Sequence, residues 1–219
     1  MTTSASPAPS PSPSADLVLA SASPRRAELL ARLGLRCALR PADIDETPAP
    51  EEKAADYVRR MAAGKTSAAQ AQLPPELASL PLLGADTIVT IDRAILGKPS
   101  GPAEAAEMLQ RLAGRRHEVT TAYRIVRGET IIERSITTNV SIRLIAPEEL
   151  TAYIASGEWQ GKAGGYAVQG IAALFATDVR GSITNVVGLP LAEVVADLRA
   201  CGGLPSWPPP GFGALGAGA

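Results

Sequence analysis

Hydrophobic positions along the chain alternate between strand-like and helix-like spacing. Short continuous apolar runs predict buried strands, and apolar residues recurring every three or four positions predict helices. Strands are predicted over residues 16–20, 82–91, 94–96, 118–127, 130–145 and most of 167–176. Helices are predicted over residues 24–33, 51–70, 102–113, 147–157 and 190–201. This alternation, with an antiparallel hairpin turning at Gly128–Glu129, predicts an α/β protein on a mixed sheet.

The charged residues mark the predicted folded region, because all of them lie between Asp16 and Arg199. Residues 1–15 are Ser, Pro, Ala and Thr after the initial Met, a composition that cannot bury enough apolar surface to offset the entropy of ordering. They lack the basic and apolar regions of a signal peptide. We therefore expect a disordered tail over 1–15, a folded domain over 16–201, and a second loose, Gly- and Pro-rich tail over 202–219.

Composition excludes several classes of protein. The chain has 219 residues and a net charge of −1, which argues against a broad basic surface for nucleic acid. No apolar run approaches the roughly 20 residues of a membrane helix. Cys37 and Cys201 match no zinc spacing, and the single His117 excludes a three-histidine zinc site and carries no nucleophile elbow beside it. We expect a cytoplasmic protein that binds neither nucleic acid nor a membrane.

The first predicted helix begins with two arginines. Ser23 stands at the N-cap position, Pro24 at the first helical position, and Arg25 and Arg26 follow in the first turn. A helix N-terminus already carries partial positive charge and free N–H groups, so two more cations there favour an anion. The pattern indicates a phosphate cradle formed with the small-residue loop that begins at Ser21. The alternative is a pair of solvated surface arginines.

Two carboxylate groups are candidates for chemistry. Asp43, Asp45 and Glu46 form an acidic run that is either a solvated turn or part of a site. Asp86 interrupts the apolar segment 82–91, and a carboxylate at a buried strand needs a cation or a donor beside it. Together, Asp86 and Glu46 would make an oxygen-ligand site suited to magnesium with substrate phosphates.

The remaining candidates are more ambiguous when each is taken singly. Lys65 and Lys98 could be ordinary exposed lysines, and His117 is interpreted as an ordinary polar residue. Five glycines lie in segment 157–170, where Gln169 could read the edge of a base. Segment 181–190 is interpreted as a polar loop that caps the last helix.

Taken in order, these motifs resemble the Maf nucleotide pyrophosphatases, also called septum-formation inhibitors. The resemblance covers about residues 16–201. It rests on six motifs: the LASASPRRAELL segment at 19–30, DET at 45–47, GADT at 84–87, GKP at 97–99, YAVQG at 166–170, and the segment 181–190 that begins with GS and ends with NVVGLP.

The resemblance implies an elongated two-lobed α/β fold, commonly dimeric, with a cleft between the lobes. It also implies metal-dependent hydrolysis of nucleoside triphosphates to the monophosphate and pyrophosphate, with Mg²⁺ or Mn²⁺ as cofactor. By motif, Asp86 is the proton acceptor and binds the metal with Glu46. Phosphates are assigned to Ser21, Arg26, Lys65 and Lys98, and substrate choice to Arg25, Thr87 and Gln169, which resemble the dTTP/UTP branch.

We therefore predict a homodimeric dTTP/UTP pyrophosphatase that removes unwanted nucleotides, with CTP and modified pyrimidine triphosphates as further candidates. Two alternatives stay open. One is a nucleotide-binding regulator of septum formation whose effect needs no catalysis, against which the intact Asp86 argues. The other is a related enzyme for damaged purine triphosphates such as ITP or XTP, against which Arg25, Thr87 and Gln169 argue.

Overall fold

A computed structural model describes residues 15–204, 206–209 and 212 of the chain. Within them, seven strands and six α-helices alternate as the sequence predicts. The strands are β1 Leu17–Ala20, β2 Cys37–Leu39, β3 Leu82–Ile91, β4 Ala94–Leu96, β5 Arg116–Arg127, β6 Thr130–Ile142 and β7 Ala176–Arg180. The helices are α1 Pro24–Ala31, α2 Ala54–Ala71, α3 Pro102–Leu112, α4 Pro147–Ser156, α5 Ile183–Val187 and α6 Leu191–Ala200. The prediction of an α/β protein is confirmed.

All seven strands join one mixed sheet. Its order is β2-β1-β3-β5-β6-β7, and β4 pairs with β3 as a short hairpin arm. Strand β1 runs parallel to β2 and β3, whereas the other pairs are antiparallel. The predicted hairpin of β5 and β6 is confirmed, and Gly128 at its turn adopts a φ of 57°. Because β1 and β3 are neighbours, the residues after β1 lie beside the middle of β3.

The hydrophobic core has two main clusters on this sheet. One packs α3 and α4 against the β3–β4 hairpin and β6, around Tyr153 and Phe175. The other packs α1 and α6 against β1, β3 and β5, around Leu30 and Tyr123. Strands β3 and β5 contribute to both clusters, so the residues in their middle lie where the two packed regions meet. This arrangement agrees with the predicted two-lobed fold.

The prediction of a strand over 167–176 is wrong. Residues 171–174 form a 3₁₀ turn, and the strand that pairs with β6 begins only at Ala176. The carboxylate of Glu158 accepts the backbone N–H groups of Ile171 and Ala172 at 2.7 and 3.1 Å, which holds the turn. Segment 181–190 also contains more than a loop, because it includes helix α5, capped by Ser182.

Helix α2 begins at Ala54, not at residue 51 as predicted. Glu51 has a φ of 58°, which cannot continue into a helix. The adjacent Glu52 carboxylate accepts the N–H of Ala49 and binds Arg60, so these residues form a turn before the helix.

The residues after α6 pack against the body more closely than a loose tail. Leu204 is buried in the cluster around Leu30 and Tyr123, and Trp207 packs against the same cluster. The described part of 202–219 therefore extends the folded region beyond residue 201. Residues 1–14 of the expected tail over 1–15, and the remainder of the C-terminal one, lie outside the described residues, whereas Ala15 is described and buried. None of the helices in the described part of the chain is long and apolar enough to cross a membrane. Cys37 and Cys201 are both free thiols.

Candidate active site

A cleft of about 630 Å³ opens over the middle of the sheet. Its walls come from the β1–α1 turn, strand β3, the loop before α2, the segment 160–169 and the end of α5. All nine residues predicted for the site line it: Ser21, Arg25, Arg26, Glu46, Lys65, Asp86, Thr87, Lys98 and Gln169. Segments far apart in the sequence therefore meet at one place.

The β1–α1 turn brings backbone donors and two arginines to one wall of the cleft. Ser23 occupies the N-cap position but makes no side-chain cap, and Ser21 Oγ accepts the Ser23 N–H at 3.2 Å instead. Pro24 opens the helix, as predicted. The first turn of α1 holds no acidic side chain, so its positive end faces the cleft without a counter-charge of its own.

Arg26 is buried, and nearly all of its N–H groups donate to acceptors within the protein. Its Nε donates to Gly188 O at 2.8 Å. Its Nη1 donates to Ser21 Oγ at 2.9 Å and to Ala85 O at 2.8 Å, and its Nη2 donates to Thr87 Oγ1 at 3.0 Å. Burial lowers the pKa of Arg26, an effect opposed by the Asp86 and Glu46 carboxylates. Arg26 therefore joins three walls of the cleft and supplies their positive charge.

At the end of α5, Gly188 lets its carbonyl oxygen meet the Arg26 guanidinium. Its φ of 125° is one that side-chain-bearing residues rarely adopt. An added Cβ would sit 3.7 Å from Arg26 Nε, an ordinary contact distance, so the φ angle and not crowding favours glycine here. The glycine thus lets the chain turn and present its carbonyl oxygen to the buried guanidinium.

Helix α2 packs directly on β3 at Gly84. A Cβ on Gly84 would overlap the Thr66 hydroxyl, so only glycine permits this contact. The contact brings Lys65 beside Asp86, where Nζ lies 2.6 Å from Asp86 Oδ1. The same Nζ lies 2.6 Å from Glu46 Oε1. One ammonium therefore bridges the two carboxylates that the sequence singled out.

The environment of Glu46 favours its ionised form. Burial by itself raises the pKa of Glu46, but the hydrogen bond and charge of Lys65, with smaller help from Lys98 and Arg26, lower it overall. Lys98 Nζ stands 3.9 Å from Glu46 Oε2 and remains exposed. Lys98 is thus free to reach an anion in the cleft.

Arg25 and the segment 160–169 form a further part of the cleft lining. Arg25 is half-buried, and burial lowers its pKa. Gln169 is exposed, so both its amide donor and its amide acceptor can meet a ligand. The cleft therefore combines the charged groups around Lys65 and Asp86 with an exposed amide group.

Comparison with known proteins gives the chain a family. Residues 16–201 match the family model described as Maf-like protein. The chain belongs to the Maf family. The dTTP/UTP pyrophosphatase of Cereibacter sphaeroides is 49% identical over 187 residues, which cover 85% of this chain and 95% of that protein. The dTTP/UTP pyrophosphatase of Ruegeria sp. (strain TM1040) is 44% identical over 84% of this chain and 94% of that protein. That of Pasteurella multocida is 44% identical, with the same two shares.

Sequence reasoning missed two members of this Maf cleft. Lys162 lines the wall near Arg25, and burial together with the Arg25 charge lowers its pKa. Tyr166 lines the cleft floor, and its hydroxyl lies 2.7 Å from His117 Nε2. Both residues belong to the glycine-rich segment 157–170, whose sequence does not show which side chains face the cleft.

His117 is not the ordinary polar residue that the sequence suggested. It is 2% exposed and sits behind Tyr166 with the two rings at 86° to each other. Burial lowers the pKa of His117 to about 4. The imidazole is therefore neutral at physiological pH and supports the cleft floor from beneath.

Proposed function

We propose that this Maf protein is a nucleoside triphosphate pyrophosphatase that hydrolyses dTTP and UTP to the monophosphate and pyrophosphate. The observation that carries the proposal is the bridge of Lys65 between Asp86 and Glu46, in a cleft lined by four further cationic side chains, Arg25, Arg26, Lys98 and Lys162. Relatives that are 44–49% identical over most of their length bear the name dTTP/UTP pyrophosphatase, which supports the substrate class. CTP and modified pyrimidine triphosphates belong to the same proposal.

In this proposal, Asp86 accepts a proton from the attacking water. Its side chain is 14% exposed, so it can meet water in the cleft while the protein fixes its position. Lys65 holds Oδ1, and the second carboxylate oxygen is left to orient the water. A carboxylate positioned in this way lowers the barrier by general-base catalysis, typically by 10²–10⁴-fold.

The cations offset the negative charge that develops on the phosphate oxygens. Lys98 is exposed, and the Lys65 ammonium has three N–H donors of which Glu46 and Asp86 use two, so both lysines can bind the triphosphate directly. Ser21 can do the same at the mouth of the β1–α1 turn. Arg26 has four donated hydrogen bonds within the protein, so it acts mainly by its charge and by holding Ser21 and Thr87.

Glu46 and Asp86 also fit a divalent metal such as Mg²⁺ or Mn²⁺. Carboxylate oxygens are the donors that these hard cations prefer. In the described part of the chain no three His, Cys, Asp or Glu side chains are grouped as a metal site, so phosphate oxygens of the substrate would complete the coordination. When bound, the metal would supply Lewis-acid stabilisation of the phosphate charge.

The complete set of predicted site residues in the cleft favours an enzyme over a protein that only binds nucleotides and signals their levels. A site that only binds a nucleotide needs cations for the phosphates, but it does not need a carboxylate oxygen placed to accept a proton from water. The exposed Gln169 and the half-buried Arg25 also leave an amide-bearing part of the cleft suited to a pyrimidine edge. The homodimer and the cytoplasmic location stay predictions.

The proposal is tested by a panel of dTTP, UTP, CTP, GTP and ITP with Mg²⁺ or Mn²⁺ and with EDTA. We expect pyrophosphate release to be fastest with dTTP and UTP and to stop in EDTA. Asp86→Asn should lower the rate by at least about 100-fold, because Asn keeps the size but cannot accept the proton. Asp43→Asn is the matched control, since Asp43 lines the same cleft.

Two results would contradict the proposal. One is a wild-type enzyme that leaves all five nucleotides intact. The other is an Asp86→Asn variant that turns over dTTP at the wild-type rate while it remains folded by circular dichroism.

A further inference from the structure

Behind the cleft wall, a buried row of polar groups starts at Arg26 and runs away from the cleft. Arg26 Nη2 donates to Thr87 Oγ1 at 3.0 Å, and Thr87 Oγ1 lies 2.9 Å from Thr121 Oγ1. Thr121 Oγ1 in turn donates to the backbone oxygen of Asn185 at 3.1 Å. Thr121 is 0% exposed and is not among the residues that line the cleft.

The hydrogen-bond directions in this row follow from counting protons. A guanidinium only donates, so Thr87 Oγ1 accepts from Arg26. A backbone carbonyl only accepts, so Thr121 donates its one hydroxyl proton to the Asn185 carbonyl oxygen. In the Thr87–Thr121 bond, Thr87 is therefore the donor. The competing acceptor for the Thr87 proton, Gly188 O, is farther away at 3.4 Å.

The far end of the row is rigid. The side chain of Asn185 is itself buried, and its Nδ2 donates to Val119 O and to Thr138 Oγ1, both at 2.9 Å. Asn185 belongs to α5, whose C-terminal neighbour Gly188 accepts from Arg26 Nε. The row thus connects α1, β3, β5 and α5 in a closed set of contacts.

We propose that Thr121 is a positioning residue for the reaction: through its hydroxyl it fixes the orientation of the Thr87 hydroxyl and of the Arg26 guanidinium in the cleft wall. One consequence concerns Thr87. Its proton points away from the cleft and one lone pair faces Arg26, so towards a ligand Thr87 can only accept. This inference rests on the proposed function. It implies that the effect of Thr87 on the substrate depends on Thr121, a residue that the substrate does not contact.

The test uses near-isosteric changes that remove one hydroxyl at a time. Thr121→Val and Thr87→Val should each lower kcat/KM for dTTP by about fivefold to tenfold, the cost of one hydrogen bond of this kind. The double variant should be no worse than the poorer single variant, because either change already breaks the row. Thr121→Ser keeps the hydroxyl and should retain activity within twofold, even where the lost methyl group lowers the melting temperature.

Thr120→Val is the matched control. Thr120 is 9% exposed, belongs to the same strand, and pairs its hydroxyl with Thr137 Oγ1 at 2.9 Å, away from the row. We expect its kcat/KM to stay at the wild-type value. A loss of activity in Thr120→Val equal to that in Thr121→Val would overturn the inference, because any buried threonine of β5 would then have the same effect.

The stability of the same variants tests the row without any substrate. The effects of the two valine substitutions on stability should be coupled. Each should raise the unfolding equilibrium constant, and the factor for the double variant should be about fivefold or more below the product of the two single-variant factors. Wild-type activity in Thr121→Val, or independent effects of the two substitutions on unfolding, would overturn the inference and leave the proposed function intact. If the wild-type chain hydrolyses no triphosphate, the proposed function fails, and the unfolding data still decide whether the row exists.

Discussion

Arg25 and Arg26 are neighbours in the sequence, yet the protein uses them differently. Arg26 points inward and donates to four acceptors, whereas Arg25 lies at the cleft wall and makes no hydrogen bond within the described residues. Arg25 therefore keeps all its donors for a ligand. A lysine could replace neither role well, because it lacks the planar fork that serves several acceptors at once.

We predict that the Gln169 amide determines which base the enzyme prefers. Its amide can both donate and accept, which matches the alternating groups on the edge of uracil or thymine. Gln169→Glu removes the donor, so we expect kcat/KM for dTTP and UTP to fall by roughly ten- to a hundredfold. Kinetics with dTTP, UTP and GTP measure the change, and the GTP value should fall much less.

Gln160→Glu is the control for added charge, since Gln160 lines the same cleft. An equal loss for all three nucleotides in Gln169→Glu, or an equal loss in Gln160→Glu, would show that charge in the cleft, and not the amide, determines the effect.

The residue types of the site could be predicted from the sequence, but their individual contacts could not. The motifs contain eight of the nine predicted residues, Lys65 stands outside them, and the structure places all nine on one cleft. The sequence does not show which arginine turns inward, because that depends on acceptors such as Gly188 O and Ala85 O from distant segments. Lys162 was missed for a similar reason: its place beside Arg25 depends on how segment 160–169 folds over the sheet.

At the scale of elements, the strongly patterned strands and helices were predictable and the irregular segments were not. Strands β3 and β5 have long apolar patterns and lie where expected. Segment 167–176 is also apolar, but the carboxylate of Glu158 captures two of its N–H groups and holds a 3₁₀ turn. A side chain nine or more residues away thus overrode the local pattern, which periodicity alone cannot reveal.

The contact between α2 and β3 at Gly84 should contribute to the stability of the fold. Gly84→Ala would force a methyl group against the Thr66 hydroxyl and push α2 away from the sheet. We expect the free energy of unfolding to fall by about 1–3 kcal/mol, as for other overpacked cores. Urea denaturation measures it. Turnover should fall as well, because Lys65 follows α2 away from Asp86.

Gly97→Ala is the matched control, since an added Cβ there meets no atom within 4 Å. Its free energy of unfolding should stay within about 0.5 kcal/mol of wild type. Equal stabilities for the two variants would mean that α2 does not rest on Gly84 as described.

At the scale of the whole molecule, one residue governs stability in weakly acidic solution. His117 is the only histidine of the chain, and burial lowers its pKa to about 4. An unfolded histidine titrates near pH 6.5, so between these values the unfolded chain binds a proton that the folded chain does not. The stability that neutral His117 provides is therefore complete above about pH 6.5 and is lost as the pH falls towards 4.

We expect the wild-type free energy of unfolding to drop by about 2 kcal/mol between pH 7 and pH 5. His117→Gln has no group that titrates in this range, so its stability should change little over the same interval. Urea denaturation at pH 7, 6 and 5 measures both proteins. Equal losses in the two would show that His117 is not the group responsible.

The central claim is that the cleft around Asp86 and Lys65 splits a pyrimidine triphosphate between its α- and β-phosphates. The most direct measurement is to incubate the wild-type protein with dTTP and a divalent metal and to quantify every phosphate product. We expect dTMP and pyrophosphate in equal amounts from the first turnovers, with neither dTDP nor inorganic phosphate. Release of dTDP and inorganic phosphate, or intact dTTP after prolonged incubation, would contradict it.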